Sequence, residues 1–185
     1  IIKYIFDNVG NQTSIKKISD TLTSYGRKIS APTVESYLKA LCDSYIINKV
    51  GRYDISGKQF LKTLEKYFVT DLGLQRFLLN NNKQNLGHNL ENIVFLELKR
   101  RGFKVYTGKI GDLEVDFIAE GNGRKYYFQV AQSVLNEKIL ERELKSLDKI
   151  KDHNPKFLIT MDFLPETSHN GIRQINIIDW LMNNK

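Results

Sequence analysis

The stretch Leu113-Glu114-Val115-Asp116-Phe117-Ile118-Ala119-Glu120-Gly121-Asn122-Gly123-Arg124-Lys125-Tyr126-Tyr127-Phe128-Gln129-Val130-Ala131 decides how the second half of the chain folds. Two strand-like runs flank Asn122-Gly123, a dipeptide that readily supplies the two positive φ angles of a type I′ turn, so the spacing predicts a hairpin in which Gly121 pairs with Arg124. Carried along the ladder, that register sets Asp116 opposite Gln129 and Glu114 opposite Ala131. Residues two apart on a strand face the same way, so Glu114 and Asp116 are expected on one side and Val115 and Phe117 on the other. Two carboxylates on one face invite a cation. The alternative is a solvated or salt-bridged pair near Lys109, Arg124 or Arg142. Gln129 reads in the same two ways, as a member of the constellation or as the polar outward residue of a half-buried strand.

Upstream of the hairpin, Leu90, Ile93, Val94 and Leu98 recur at helical spacing from Gly87 to Arg101, and Gly102 closes that helix. Glu91 lies at the edge of its apolar stripe, a costly place for a carboxylate without a partner. Phe103 to Tyr106 supplies a further strand. Downstream, a charged amphipathic helix runs from Asn136 to Lys151 with Ile139, Leu140, Leu144, Leu147 and Ile150 inward, and Pro155 ends it. Phe157 to Met161 is a buried strand, Ile172 to Ile177 another, and Ile178 to Met182 a terminal helical turn anchored by Trp180. The expected order is therefore αβββαβ with extra elements at the end.

The first sixty residues follow a different plan. Ile1, Ile2, Ile5 and Phe6 are helically spaced, Thr13 or Ser14 caps a second helix carrying Ile15, Ile18 and Leu22, and Ser30 with Pro32 opens a third carrying Val34, Tyr37, Leu38, Leu41 and Cys42. Ile46 to Val50 and Gly51 to Ile55 then read as two short strands around a glycine-containing turn. Three helices and a hairpin make a winged-helix-like segment over residues 1–57. Residues 58–85 are expected to be a linker with a short helix and a strand, passing Tyr67-Phe68-Val69 and Thr70-Asp71-Leu72-Gly73-Leu74 to a polar loop at Asn80-Asn81-Asn82. Residues 86–185 form the second domain.

The formal charge is +7 and the isoelectric point about 9.4, which favours an acidic partner such as nucleic acid. Residues 1–60 hold nine Lys/Arg against five Asp/Glu, so the shorter segment is the denser in positive charge. Arg27, Lys28, Lys39, Lys49 and Arg52 are its candidate phosphate contacts, with Ser36 and Tyr37 on the candidate recognition helix. That helix is poor in base-reading Arg, Asn and Gln, so DNA contact and packing against another domain both stay open. No stretch approaches the ~20 apolar residues of a membrane span, and no signal-peptide pattern opens the chain, so the expected location is the cytoplasm. Cys42, the single cysteine, is expected as a small buried hydrophobe. His88, His153 and His169 have no metal-ligand spacing. The start at Ile1-Ile2, without methionine, suggests a piece of something longer.

The carboxylates, their spacing and the element order together resemble the PD-(D/E)XK nuclease superfamily. In its members a helix glutamate, a strand aspartate and a next-strand acid-x-lysine surround a divalent ion. The resemblance implies catalytic-site positions at Glu91, Asp116 and Gln129, with Asp116 and Glu114 the ligands of Mg²⁺ if any is bound. Gln129 replaces the second acid and Ala131 the lysine, so the site is degenerate and cleavage is not expected; a working endonuclease would need a relocated cation such as Lys138, Arg142 or Lys145. Over almost the whole chain, the sequence also resembles the C-terminal portion of bacterial and archaeal AAA-type ATP-binding proteins. The residues that carry this are Thr70-Asp71-Leu72-Gly73-Leu74, Gly87-x-x-x-Glu91-Asn92-x-x-x-x-Glu97-Leu98-x-x-Arg101-Gly102, Glu114-Val115-Asp116-Phe117, Gln129-Val130-Ala131 and Glu141-Arg142-Glu143-Leu144. It implies a winged-helix-like segment followed by a restriction-endonuclease-like α/β core with a mixed sheet. It also implies an accessory role without a cofactor of its own, ATP entering only through a domain upstream. No Gly-x-x-x-x-Gly-Lys-Ser/Thr loop occurs here. The expected partners are DNA, the upstream ATPase domain and a second copy of the chain, with no membrane; a pure protein-interaction or dimerisation module is the alternative of another class.

Overall fold

The computed structural model describes residues 1–80 and 86–183, and the chain divides into two compact units, Ile1–Arg52 with Leu61–Asn85 and Tyr53–Phe60 with Leu86–Lys185. It is an α/β protein with a large mixed sheet. Among the described residues no helix is long and apolar enough to cross a membrane.

The first unit opens with α1 (Ile2–Asp7), α2 (Ile15–Ser24) and α3 (Ala31–Asp43). The Ser14 and Ser30 hydroxyls accept the backbone N–H groups of Lys17 and Thr33, satisfying donors that a helix start leaves open. Ile5, Phe6, Val9, Ile18, Val34 and Leu38 are buried. Next, β1 (Ile47–Asp54) and β2 (Gln59–Val69) pair as a hairpin. The expected turn around Gly51 is not where the chain reverses, because Gly51 lies inside β1. The reversal comes after Asp54, whose Oδ1 accepts the N–H groups of Ser56 and Gly57 at 3.1 Å each. An aspartate that mimics a backbone turn outweighs a lone glycine.

Residues 58–85, expected as a linker, carry all of β2 and then α4 (Leu72–Leu79), and from Leu61 onward they belong to the first unit. The hairpin tip, Tyr53–Phe60, belongs to the second. The Thr13 N–H donates to Glu65 O at 2.9 Å and that of Gly10 to Tyr67 O at 3.1 Å, so β2 is held by backbone bonds to the segment before α2. Asp71 caps α4 through the N–H groups of Gly73 and Leu74 at 2.6 and 3.0 Å, and the Gln75 amide donates to Phe6 O at 2.6 Å. Of the polar loop at Asn80-Asn81-Asn82, the last two residues lie outside the described residues.

The second unit runs α5 (Leu86–Arg100), β3 (Lys104–Ile110), β4 (Leu113–Gly121), β5 (Arg124–Val130), α6 (Glu137–Asp148), β6 (Lys156–Thr160), β7 (Thr167–His169), β8 (Ile172–Asn176) and α7 (Ile177–Met182). Helix, three strands, helix and strand follow in the expected order, and β7 is an addition. Within this unit the strands lie β3-β4-β5-β6-β8-β7, with β5, β6 and β8 mutually parallel and the outer pairs antiparallel. Helices pack on both faces of the sheet. Phe95 of α5 meets Phe117, and Trp180 of α7 meets Phe128, whereas Leu147 of α6 joins Ile118, Tyr127 and Leu158 on the other side.

The β4–β5 hairpin has the register read from Asn122-Gly123: Gly121 pairs with Arg124 and Phe117 with Phe128, and the two turn residues have φ of 52° and 73°. Across β3 the ladder is interrupted. Gly108 pairs with Val115 and Tyr106 with Ile118, so two residues of β4, Asp116 and Phe117, stand against Thr107 alone. Val115 and Ile118, three apart, therefore share one core cluster. A Cβ on Gly108 would lie 2.8 Å from Val115 Cβ and 3.2 Å from the Ile118 and Ile55 methyls, so glycine is the residue that lets the bulged strand come close. Gly108→Ala is expected to cost about 1–3 kcal/mol through overpacking. The measurement is the urea midpoint, which should fall at unchanged slope.

Candidate functional site

The constellation expected on β4 and β5 lies where their ladder stops. After the Phe117–Phe128 pair, side chains take over from backbone partners. The Val130 N–H donates to Asp116 Oδ2 at 2.8 Å, and the Asp116 N–H donates to Gln129 Oε1 at 3.4 Å. Asp116 and Gln129 are both buried, at 8% and 9% exposure, so each of these groups would carry a desolvation penalty if left without a partner. The structure thus joins the two residues expected to face each other, and it does so through backbone amides.

From Gln129 the contacts continue into α6. Its Oε1 also accepts the Ser146 hydroxyl at 3.3 Å, and its Nε2 donates to Glu143 Oε2 at 3.0 Å. Glu143 Oε1 in turn accepts Arg142 Nε at 3.0 Å and Nη2 at 2.6 Å. The carboxamide therefore joins an aspartate, a serine and a glutamate. Glutamate in its place would set a second anion against Glu143, which a neutral donor avoids. Glu143 and Ser146 were not singled out as site residues from sequence. Their signal is that Ile139, Glu143, Ser146 and Ile150 follow one another at intervals of four, three and four, so two polar residues interrupt one apolar stripe of α6.

Other expected members are placed differently. The pairing of Glu114 with Ala131 is not part of the ladder: Glu114 pairs with Lys109 of β3, and the Ala131 N–H donates to Ile159 O at 3.0 Å, on β6. The period-two rule that sets Glu114 on the face of Asp116 does not carry across the extra residue in β4. Glu91 is half-buried on α5, next to the fully buried Asn92. Among the described residues no three His, Cys, Asp or Glu side chains are gathered to hold a metal ion. With its oxygen turned to the Asp116 N–H and Ser146 and its nitrogen to Glu143, Gln129 does not fit the place of a charged Mg²⁺ ligand that a nuclease site implies.

At the far end of α5 Glu97 gathers two cations. Arg100 Nε and Nη2 reach its two oxygens at 2.6 and 2.8 Å, and Arg101 Nε reaches Oε1 at 2.6 Å. Arg101 also donates to Trp180 O at 2.6 Å and lies 4.4 Å from the centre of that indole. The hydrogen bond from Arg100, with further help from Arg101, holds the Glu97 carboxyl below the usual carboxylate range although burial opposes this. In the first unit, Arg27 and Lys28 are exposed between α2 and α3, Lys39 on α3 pairs with Asp43, and Lys49 on β1 pairs with Glu65 at 2.7 Å. Arg52 is half-buried near the end of β1. Cys42 is half-buried, and burial pushes its thiol up.

Gln129→Glu is expected to destabilise the chain by on the order of 3 kcal/mol at neutral pH, because a buried carboxylate would face Glu143 and Asp116. Thermal melts should show the loss shrinking as pH falls and the new carboxyl protonates. For Glu97 the sign is the opposite one. Its depressed pKa contributes stability that is present above the unfolded carboxyl's pKa and lost as pH falls through the folded value. Glu97→Gln should cost about 1–3 kcal/mol at pH 7 and flatten the acid limb of the stability curve, as read by denaturant melts from pH 7 to 3.

Residues 1–85 match the family described as "Domain of unknown function (DUF8612)", a stretch that ends where the first unit ends. The chain is 40% identical over 182 residues to an "Uncharacterized protein" of Haemophilus influenzae, covering 98% of this chain and 45% of that protein. It is 37% identical over 158 residues to an uncharacterized protein of Methanocaldococcus jannaschii, covering 82% of this chain and 34% of that one. The chain therefore spans less than half the length of the curated relatives it matches. No solved structure matches it.

Proposed function

We propose that this chain is the accessory C-terminal region of an AAA-type ATP-binding protein. A winged-helix-like first unit and a degenerate restriction-endonuclease-like second unit serve to bind DNA without cutting it. The observation that carries the reading is the Gln129 carboxamide. By the nuclease resemblance it stands in for the second metal-binding acid, and its donor and acceptor ends are engaged by Glu143, Ser146 and the Asp116 amide. An uncharged, hydrogen-bonded side chain there ties strands to a helix and brings no charge to a divalent ion. The exposed Arg27 and Lys28 in the turn before α3, together with the net charge of +7, support contact with phosphates. More than half of each curated relative lies outside the matched stretch, which leaves room for an ATP-binding domain there.

A cleaving endonuclease is the second reading, and one observation favours it. Arg142 stands one carboxylate away from Gln129, through Glu143, where a relocated cation would be sought. A guanidinium keeps its proton at any working pH, so it can hold a phosphate but cannot take a proton from water. This is why the non-cleaving reading leads.

Supercoiled, branched and single-stranded DNA incubated with the chain and Mg²⁺ or Mn²⁺ should stay intact. Cutting that Asp116→Ala abolishes would overturn the reading. Duplex affinity, followed by anisotropy between 50 and 200 mM salt, should fall with a slope that Arg27→Ala with Lys28→Ala reduces by about two. Binding of a protein partner with no salt-dependent DNA affinity would favour the interaction module instead.

A further inference from the structure

We infer that the second unit carries a single-stranded nucleic-acid site on the α5 and α7 face of its sheet. This face lies opposite the one that Gln129 turns to α6. The face is not fully covered. Between the C-terminal end of α5, the edge of α7 and the strands lies a cleft of about 930 Å³, too large for one aromatic ring and of a size to hold one or two nucleotides. Its floor is a cross-strand row: Phe128 pairs with Phe157 and Phe157 with Arg173, on β5, β6 and β8. Tyr126 extends the row along β5. The Phe128 and Phe157 rings lie 5.0 Å apart and nearly parallel, and the Arg173 guanidinium is 5.4 Å from the Phe157 centre.

The half-buried Tyr126 and Phe157 and the Arg173 guanidinium are the groups that an unpaired base can reach, whereas Phe128 is 4% exposed and packs against Phe157. Every base has a flat face that stacks on an aromatic ring or a guanidinium plane, and each is joined to a phosphate that a cation can hold. Arg100 and Arg173 line the cleft with side chains 60% and 51% exposed, reachable by a phosphate, while Arg101 is 17% exposed and fixed against Trp180. Glu97 aims Arg100, and Glu166 holds Arg173 at 2.6 Å. Arg100, Arg101 and Arg173 line the cleft with Glu166, and counting also Glu97, which pairs with Arg100 and Arg101, leaves one positive charge in excess, complementary to a strand. A duplex, whose bases are already stacked on one another, has no face to offer these rings. The site is independent of the winged-helix-like unit and of the Asp116 constellation.

The single tryptophan of the chain, Trp180, forms one wall, so occupancy can be read by its fluorescence. Titration of the full chain with twelve-residue oligothymidylate and with a twelve-residue RNA should quench that emission saturably. Phe157→Leu, which keeps an apolar side chain and removes the ring, should weaken binding at least fivefold, and Arg173→Ala should do likewise and reduce the salt slope by about one. Arg27→Ala with Lys28→Ala should leave the quench unchanged, which separates this site from the proposed duplex contact. Three results would each overturn the inference: an unchanged affinity in Phe157→Leu, equal quenching by the matching duplex, or adenosine monophosphate binding as tightly as the strand.

Discussion

Everything at the centre of the second unit depends on two buried backbone amides that have lost their ladder partners. Where β4 and β5 stop pairing, the N–H groups of Asp116 and Val130 still need acceptors, because an orphaned buried donor costs about as much as one or two ordinary hydrogen bonds contribute. The Gln129 and Asp116 side chains supply them. That requirement fixes the two residues to each other. Through Glu143 and Ser146 it also fixes the sheet to α6.

The same constraint shapes what the site can do. A carboxylate engaged by a backbone amide can still meet a cation, but a carboxamide that bridges a serine, an amide and a glutamate is a structural tie with no charge to offer. Glutamine at this point gives a network whose donor and acceptor ends are engaged without an ion. Arg142 completes it by balancing Glu143 from the outside. The other sheet face shows the complementary arrangement. There the ion pairs of Glu97 and Glu166 hold guanidinium groups beside aromatic rings, so charge is set at the mouth of an open cleft.

The first unit shows how a local signal and a longer one compete. Ser14, Ser30 and Pro32 mark their helices because each acts on amides within one turn of itself. The first hairpin is set by contacts that are less local. Gly51 draws attention as a turn residue, yet the Asp54 carboxylate and the bonds of β2 to Thr13 and Gly10 decide where the strands run. Those bonds join residues more than fifty positions apart, which no local pattern encodes.

Asn122-Gly123 by itself determined the β4–β5 register, since the turn's positive φ angles admit few other residues and a fixed turn fixes every pair along the ladder. The order of helices and strands was equally legible, because apolar periodicity is a property of consecutive residues. Only the tertiary structure decided that β4 carries an extra residue against Thr107, that Glu114 stands across from Lys109, and that Glu143 and Ser146 complete the Gln129 network. A bulge and a helix laid across a sheet bring together side chains from separate segments. Their meeting depends on the packing of whole elements against each other, and the spacing along one strand does not contain it.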